Sequence, residues 1–264
     1  YDVTDYYDIA PKYGNMFDFE LYLQEAKARN IQTVLDLVVN HTSSVHPWFR
    51  EGLLDYASDN CGDPASKCHY YNFSRTRREG DEPYGGGVYA EARFWSGMPD
   101  LNLDNPYVKQ EIEDIMAYWL DLGVDGFRLD AVTSFFTGNA NKNIEFLSWL
   151  GDTAKAIKSD SFIVAEGPWS MTSNGLLQYY PARIDSFFNF PVSVIGNRIV
   201  DRVRLQQGYD LARVTALFNQ NLYAIRPDAI DTPFLSNLSC GYQSIGCSPF
   251  DKREKNIKKK KRTV

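Results

Sequence analysis

The chain has 264 residues, 44% apolar and 14% aromatic, enough to bury the core of one barrel-sized domain or two ordinary ones. Its formal net charge is −6, yet Lys252 to Val264 holds eight Lys or Arg against one Glu, so everything before that segment carries −13. An acidic body repels phosphate backbones and speaks against nucleic acid as a partner, the basic end reads as a solvated, disordered tail, and no apolar run is long enough for a membrane span.

Taken in chain order, Tyr1 opens on strand-like sequence with neither a Met nor a visible signal peptide, which reads as a fragment truncated at its start. Residues 16–29 place Phe19, Leu23 and Ala26 on one helical face, and Ile31 to Val39 follows as a buried strand. Residues 43–104, rich in Gly, Asp, Pro and Tyr, make a connection too long to be structureless in a compact domain. It is expected to be a small inserted subdomain. Within it Cys61 and Cys68 suit a disulfide and free thiols about equally, and Cys240 with Cys247 forms a second close pair. Neither pair has zinc-site spacing, and His69 stands alone.

Asn105 and Pro106 then supply a cap and a first-turn proline for a helix carrying Ile112, Ile115, Met116 and Trp119, which Gly123 ends before the strand-like VDGFRLD. A helix over 142–158, with Leu147, Leu150, Ala154 and Ile157 inward, leads into SFIVAE. RIDSFFNF near 183–190, a helix over 211–225 and TPFLSN near 232–237 complete the pattern. Apolar strands separated by helices imply α/β architecture with a parallel sheet, and about six of them without a dinucleotide glycine pattern favour an incomplete (β/α)₈ TIM barrel. The barrel spans residues 1–42 and 105–237, the insertion 43–104 follows its third strand, and 238–264 lies outside the pattern.

Polar residues cluster at the ends of three strands: Asp36, Asn40 and His41 on the first, Arg128 and Asp130 on GFRLD, Glu166 on SFIVAE. In a parallel barrel such ends converge on one rim, where active sites are built. Each residue alone is about as readily structural as functional: Asp36 a hydrogen-bonded carboxylate, Arg128 a counter-charge, Glu166 a cap. Together they fit acetal hydrolysis, in which one carboxylic acid protonates the leaving oxygen and one carboxylate attacks the anomeric carbon. Arg128, two positions before Asp130 on the same face, would hold that carboxylate's charge. The apolar neighbours Phe162, Val164, Pro168 and Trp169 would raise the pKa of Glu166.

DLVVNH (36–41), MPDLN (98–102), GFRLDA (126–131) and AEGPW (165–169) resemble, in order, four motifs of the α-amylase family of glycoside hydrolases (family 13). YDV at the start, with DYY and PKYG (11–14), resembles its second-strand region. The resemblance runs from Tyr1 to about Asn237 and points to α-amylases bearing an MPDLN motif. It implies that Asp130 is the nucleophile, Glu166 the general acid/base and Arg128 the nucleophile's support. His41 then binds the sugar, Tyr1 stacks on it, and Trp169 adds to the substrate site. Asn40 and Asp100 match positions that hold a structural Ca²⁺, and the insertion matches the family's B domain.

MPDLN, and Ala131 after the nucleophile, favour α-1,4-glucans or maltooligosaccharides over isomaltose-type substrates. The expected product of the resemblance is thus a monomeric α-amylase-like hydrolase, acting outside the cell, with no organic cofactor. The alternatives are an oligo-glucosidase or α-glucosidase, and an impaired amylase-fold binding or ancillary protein. Two departures bear on this. Thr133 and Ser134 replace a Lys-His pair that helps bind sugar and metal. Asn237 is followed by Leu238 and Ser239 where the family has His and a third acid, and the loss of pattern from there suggests a shifted reading frame. At most weak activity is expected of the chain.

Overall fold

The structure is a computed structural model that describes residues 1–168, 175–189 and 208–232. The chain divides into two compact units, Tyr1–Glu166 with Ala182–Asp185, and Gly167–Pro181 with Ser186–Val264.

In the first unit, helix α1 spans Met16–Ala28 behind a capping box in which the Asn15 and Asp18 side chains each accept from the other's backbone N–H. Leu23 and Ala26 are buried as expected, whereas Phe19 is half-buried against the edge of Trp119. Strand β1 is Val34–Leu37 only. The expectation of a buried strand from Ile31 to Val39 is corrected on both counts. Among the described residues β1 pairs on one side alone, and Val34 and Asp36 are exposed. Val38 and Val39 are buried but leave the ladder, the Val38 carbonyl accepting instead from the Tyr6 hydroxyl at 2.8 Å. Residues 1–3 form no strand either.

Residues 43–104 carry helix α2 (Pro47–Ala57) and a small antiparallel sheet of β2 (Phe73–Ser74), β3 (Asp81–Pro83) and β4 (Tyr89–Glu91), in the order β2-β4-β3. Phe49 packs against Tyr71, Phe73 and Tyr84 at ring separations of 4.7–5.6 Å. Cys61 and Cys68 form a disulfide. Cys240 and Cys247 lie outside the described residues.

Helix α3 is Pro106–Leu122, its start fixed by the Asn105 side chain accepting from Tyr107 N–H and its end by Gly123 at φ 114°. Strand β5 (Gly126–Leu129), helix α4 (Ala140–Ile157) and strand β6 (Phe162–Ala165) follow. Leu147, Leu150 and Ala154 are buried and Ile157 half-buried. β1, β5 and β6 are parallel, with Leu37, Leu129 and Ala165 in register. Asp125 and Asp185 lock the opposite end: their carboxylates accept from the Thr33 and Ile163 amides and pair with Lys158 and Lys155. The residues after Leu37, Leu129 and Ala165 therefore leave one edge at one level.

In the second unit, strands β7 (Ser186–Phe188) and β8 (Ile230–Thr232) pair in parallel around helix α5 (Gly208–Ile225). α5 starts three residues before its expected position, and β8 precedes most of the expected TPFLSN strand, which from Pro233 lies outside the described residues. Among the described residues no helix is long and apolar enough to cross a membrane.

Candidate active site

Arg128 organises the strand ends. Side chains on β5 alternate, so Arg128 projects to the same side as Asp130, and the register sets it opposite Asp36 on β1. Its Nη1 donates to Asp130 at 2.5 Å and pairs with Asp36 at 2.8 Å, while its Nη2 donates to Glu166 at 2.7 Å. One largely buried guanidinium thus draws three carboxylates from three strands to one point. Asp130 is buried, and Glu166 nearly so. The Asp36 side chain is half exposed, so its reading as a buried structural carboxylate gives way to that of an outer partner of Arg128.

Burial pushes the Glu166 carboxyl up to about 7 against the opposing pull of Arg128, and the neighbouring Asp130 carboxylate raises it further by charge and by hydrogen bonding. The direction expected from sequence holds. The Glu166 carboxylate also has polar partners, the Arg128 guanidinium and, at 3.4 Å, the Ala131 amide. That amide is aimed by Ala131 at φ 50°, a left-handed turn by a non-glycine residue directly after Asp130. Such turns are held only where the surroundings enforce them, often at functional sites.

The loop after β1 brings in His41 and Asn40. Leu101 N–H donates to the Asn40 carbonyl, and His41 bridges Asp100 antiparallel. Asn40 Nδ2 lies 3.0 Å from Asp100 Oδ1 and 3.3 Å from His41 Nδ1, so its two hydrogens serve both neighbours. Burial lowers the His41 pKa, leaving a neutral ring whose Nδ1 accepts and whose Nε2 carries the proton. That buried Nε2 makes no hydrogen bond of standard geometry among the described residues, although the main-chain carbonyl of Tyr1 lies close to the ring. The half-exposed Tyr1 ring sits 5.4 Å from the Arg128 guanidinium. Of the expected site residues, Tyr1, His41, Arg128, Asp130 and Glu166 are gathered; Trp169 lies outside the described residues.

Asn40 and Asp100 do meet, but as hydrogen-bond donor and acceptor. Calcium takes about six to eight oxygen ligands. Here Asp100 Oδ2 also accepts from the Arg93 amide, and no group of three His, Cys, Asp or Glu suited to a metal occurs among the described residues. The side chains as placed do not fit the ion.

Two neighbours escaped the sequence reading. Phe94 packs on His41 at 5.2 Å, and Tyr6 holds the loop after β1 through its hydroxyl. No local periodicity marks either; only the fold joins Tyr6 to Val38.

The sequence profile described as "Alpha amylase, catalytic domain" matches residues 1–239. Alpha-amylase 3 of Dictyoglomus thermophilum is 39% identical over 243 residues, covering 90% of this chain and 45% of the relative. Oligo-1,6-glucosidase of Parageobacillus thermoglucosidasius is 40% identical over 141 residues, 50% of this chain and 25% of that one. Among solved structures, Eubacterium rectale Amy13B aligns with a TM-score of 0.79 at 36% identity, over 89% of this chain and 47% of its own. The chain spans about half the length of these fuller matches. Its parallel strands and helices are part of a (β/α)₈ barrel, and with the profile covering nearly all of it the chain belongs to the α-amylase family of glycoside hydrolases.

Proposed function

We propose that the chain acts on α-1,4-glucosidic bonds of starch, glycogen or maltooligosaccharides by double displacement at Asp130 and Glu166. The observation that carries this reading is the single Arg128 guanidinium bonded to both carboxyls, at 2.5 and 2.7 Å. Two carboxyls drawn to one guanidinium suit the closer spacing of a retaining pair, about 5–5.5 Å, better than the about 6.5–9.5 Å of an inverting one.

In this reading Asp130 attacks the anomeric carbon while protonated Glu166 gives its proton to the departing glycosidic oxygen. The glycosyl–Asp130 ester then forms, and Glu166, now ionised, takes a proton from the water that breaks it. By the resemblance His41 binds the sugar and the Tyr1 ring stacks on it. Trp169 joins the substrate site by resemblance. All these groups come from one chain, so a monomer suffices. No step uses a metal.

The α-1,4 preference rests on MPDLN, on Ala131, and on likeness to Alpha-amylase 3 over 90% of the chain, against 50% for the oligo-1,6-glucosidase. A sugar-binding protein without turnover is the second reading, favoured by Leu238 and Ser239 in place of the family's His and third acid. Hydrolysis of a chromogenic maltooligosaccharide by the chain and by Asp130→Asn decides between them. Turnover that falls by at least about 10³-fold in the variant is expected. Equal, negligible rates with retained maltooligosaccharide binding would leave the second.

A further inference from the structure

Asp100 and Glu91 line a cavity of about 330 Å³ together with Arg93 and Asn72. Each of the four carboxylate oxygens already has a donor. Glu91 Oε1 accepts from Arg93 Nε at 2.6 Å and Oε2 from Asn72 Nδ2 at 3.1 Å. Asp100 Oδ1 accepts from Asn40 Nδ2 at 3.0 Å and Oδ2 from the Arg93 amide at 3.2 Å. A cation shared by Asn40 and Asp100 would require the Asn40 oxygen to face Asp100. Turning the amide over would break its bonds to both Asp100 and His41. The Arg93 guanidinium packs beside Gly80, where a side chain would begin 3.3 Å from Cζ.

We propose that Arg93 is a built-in cation: its guanidinium on Glu91 and its amide on Asp100 do the work of a divalent ion, making the fold independent of calcium. Arg93 is then a positioning residue. Its amide holds Asp100 Oδ2, and Asp100 Oδ1 in turn holds the Asn40 amide that lies 3.3 Å from His41 Nδ1. With the Arg93 side chain removed its main-chain amide still holds Asp100, but Glu91 and Asp100 lose their positive charge, and a divalent ion becomes the remaining way to offset them.

The test is thermal unfolding of the full chain in EDTA and in 10 mM calcium, with terbium luminescence as a direct probe of metal. The wild type should keep its Tm within about 1 °C and bind no terbium that calcium displaces. Arg93→Gln should melt lower in EDTA and gain on the order of 5 °C from calcium at a hundredfold excess over Kd. Arg93→Lys, keeping the charge, should stay indifferent. A wild type stabilised by calcium, or a folded Arg93→Gln that calcium leaves unmoved, overturns the proposal. If Arg93→Gln folds under neither condition, the wild-type terbium titration decides. Calcium-competed binding lost in Asp100→Asn refutes the built-in cation, and its absence upholds it. The readouts are metal and temperature, so the result does not depend on which sugar the site takes.

Discussion

Three carboxylates on one guanidinium make Arg128 the residue on which the site's electrostatics turn. Lys could supply the charge but not the fork that reaches Asp130 and Glu166 separately. Arg128→Lys is expected to lower kcat by about 10²-fold or more with a smaller change in KM, because the geometry lost is that of the reacting pair. A change confined to KM would mean that Arg128 merely binds sugar. Glu166 sets the pH behaviour. As the acid it must hold its proton, so activity should fall as pH rises through about 7. Its folded pKa lies above the ordinary carboxylate value of about 4.3, so its contribution to stability is full below that value and is lost as pH rises through 7. Glu166→Gln should therefore remove the alkaline limb of kcat and flatten the decline of Tm between about pH 5 and 8. A variant whose Tm falls as steeply as the wild type's would show that burial of Glu166 is not the cause.

At the scale of elements, what was legible in the sequence is what local chemistry decides. Asn105, Pro106 and Gly123 bound α3 because a side-chain acceptor, a missing N–H and a left-handed end are local requirements, and the structure sets the helix at Pro106–Leu122. Asp36, Arg128, Asp130 and Glu166 were legible for the same reason: a parallel sheet delivers successive strand ends to one edge. Illegible were properties set by distant partners. IQTVLDLVV is mostly apolar and ends on two valines, yet the ladder stops at Leu37 because the next carbonyl goes to Tyr6. Apolar neighbours along β6 made the raised pKa of Glu166 legible, but not its hydrogen bond to Arg128, 38 positions away. Cysteine spacing allowed a disulfide without requiring it. Asn105 shows how a local cap also serves long-range order, its Nδ2 donating to the His69 carbonyl at 2.8 Å. Asn105→Ala loses both bonds and should cost about 1–3 kcal/mol, read as a shift in the urea midpoint at constant m. A loss below about 0.5 kcal/mol would mean that water replaces both partners.

At the scale of the whole molecule, the family's motifs run in order along the chain until one stops short. GFRLDA and AEGPW supply the close-set pair, and the third acid belongs to a motif that here reads Asn237, Leu238, Ser239. By the resemblance, that acid tightens on sugar hydroxyls in the transition state more than in the bound substrate. An interaction of that kind acts on kcat and leaves ground-state binding largely alone. The double variant Leu238→His, Ser239→Asp should then raise kcat on maltooligosaccharides by about 10²–10³-fold, the size seen for a single donor matched to a transition state, with KM changed far less. The gain should vanish when Asp130→Asn is added, because the restored acid assists the pair and cannot replace it. A double variant no faster than its parent, with Asp130→Asn still slower than both, would mean that Asp130, Glu166 and Arg128 already supply all the transition-state stabilisation the chain can use.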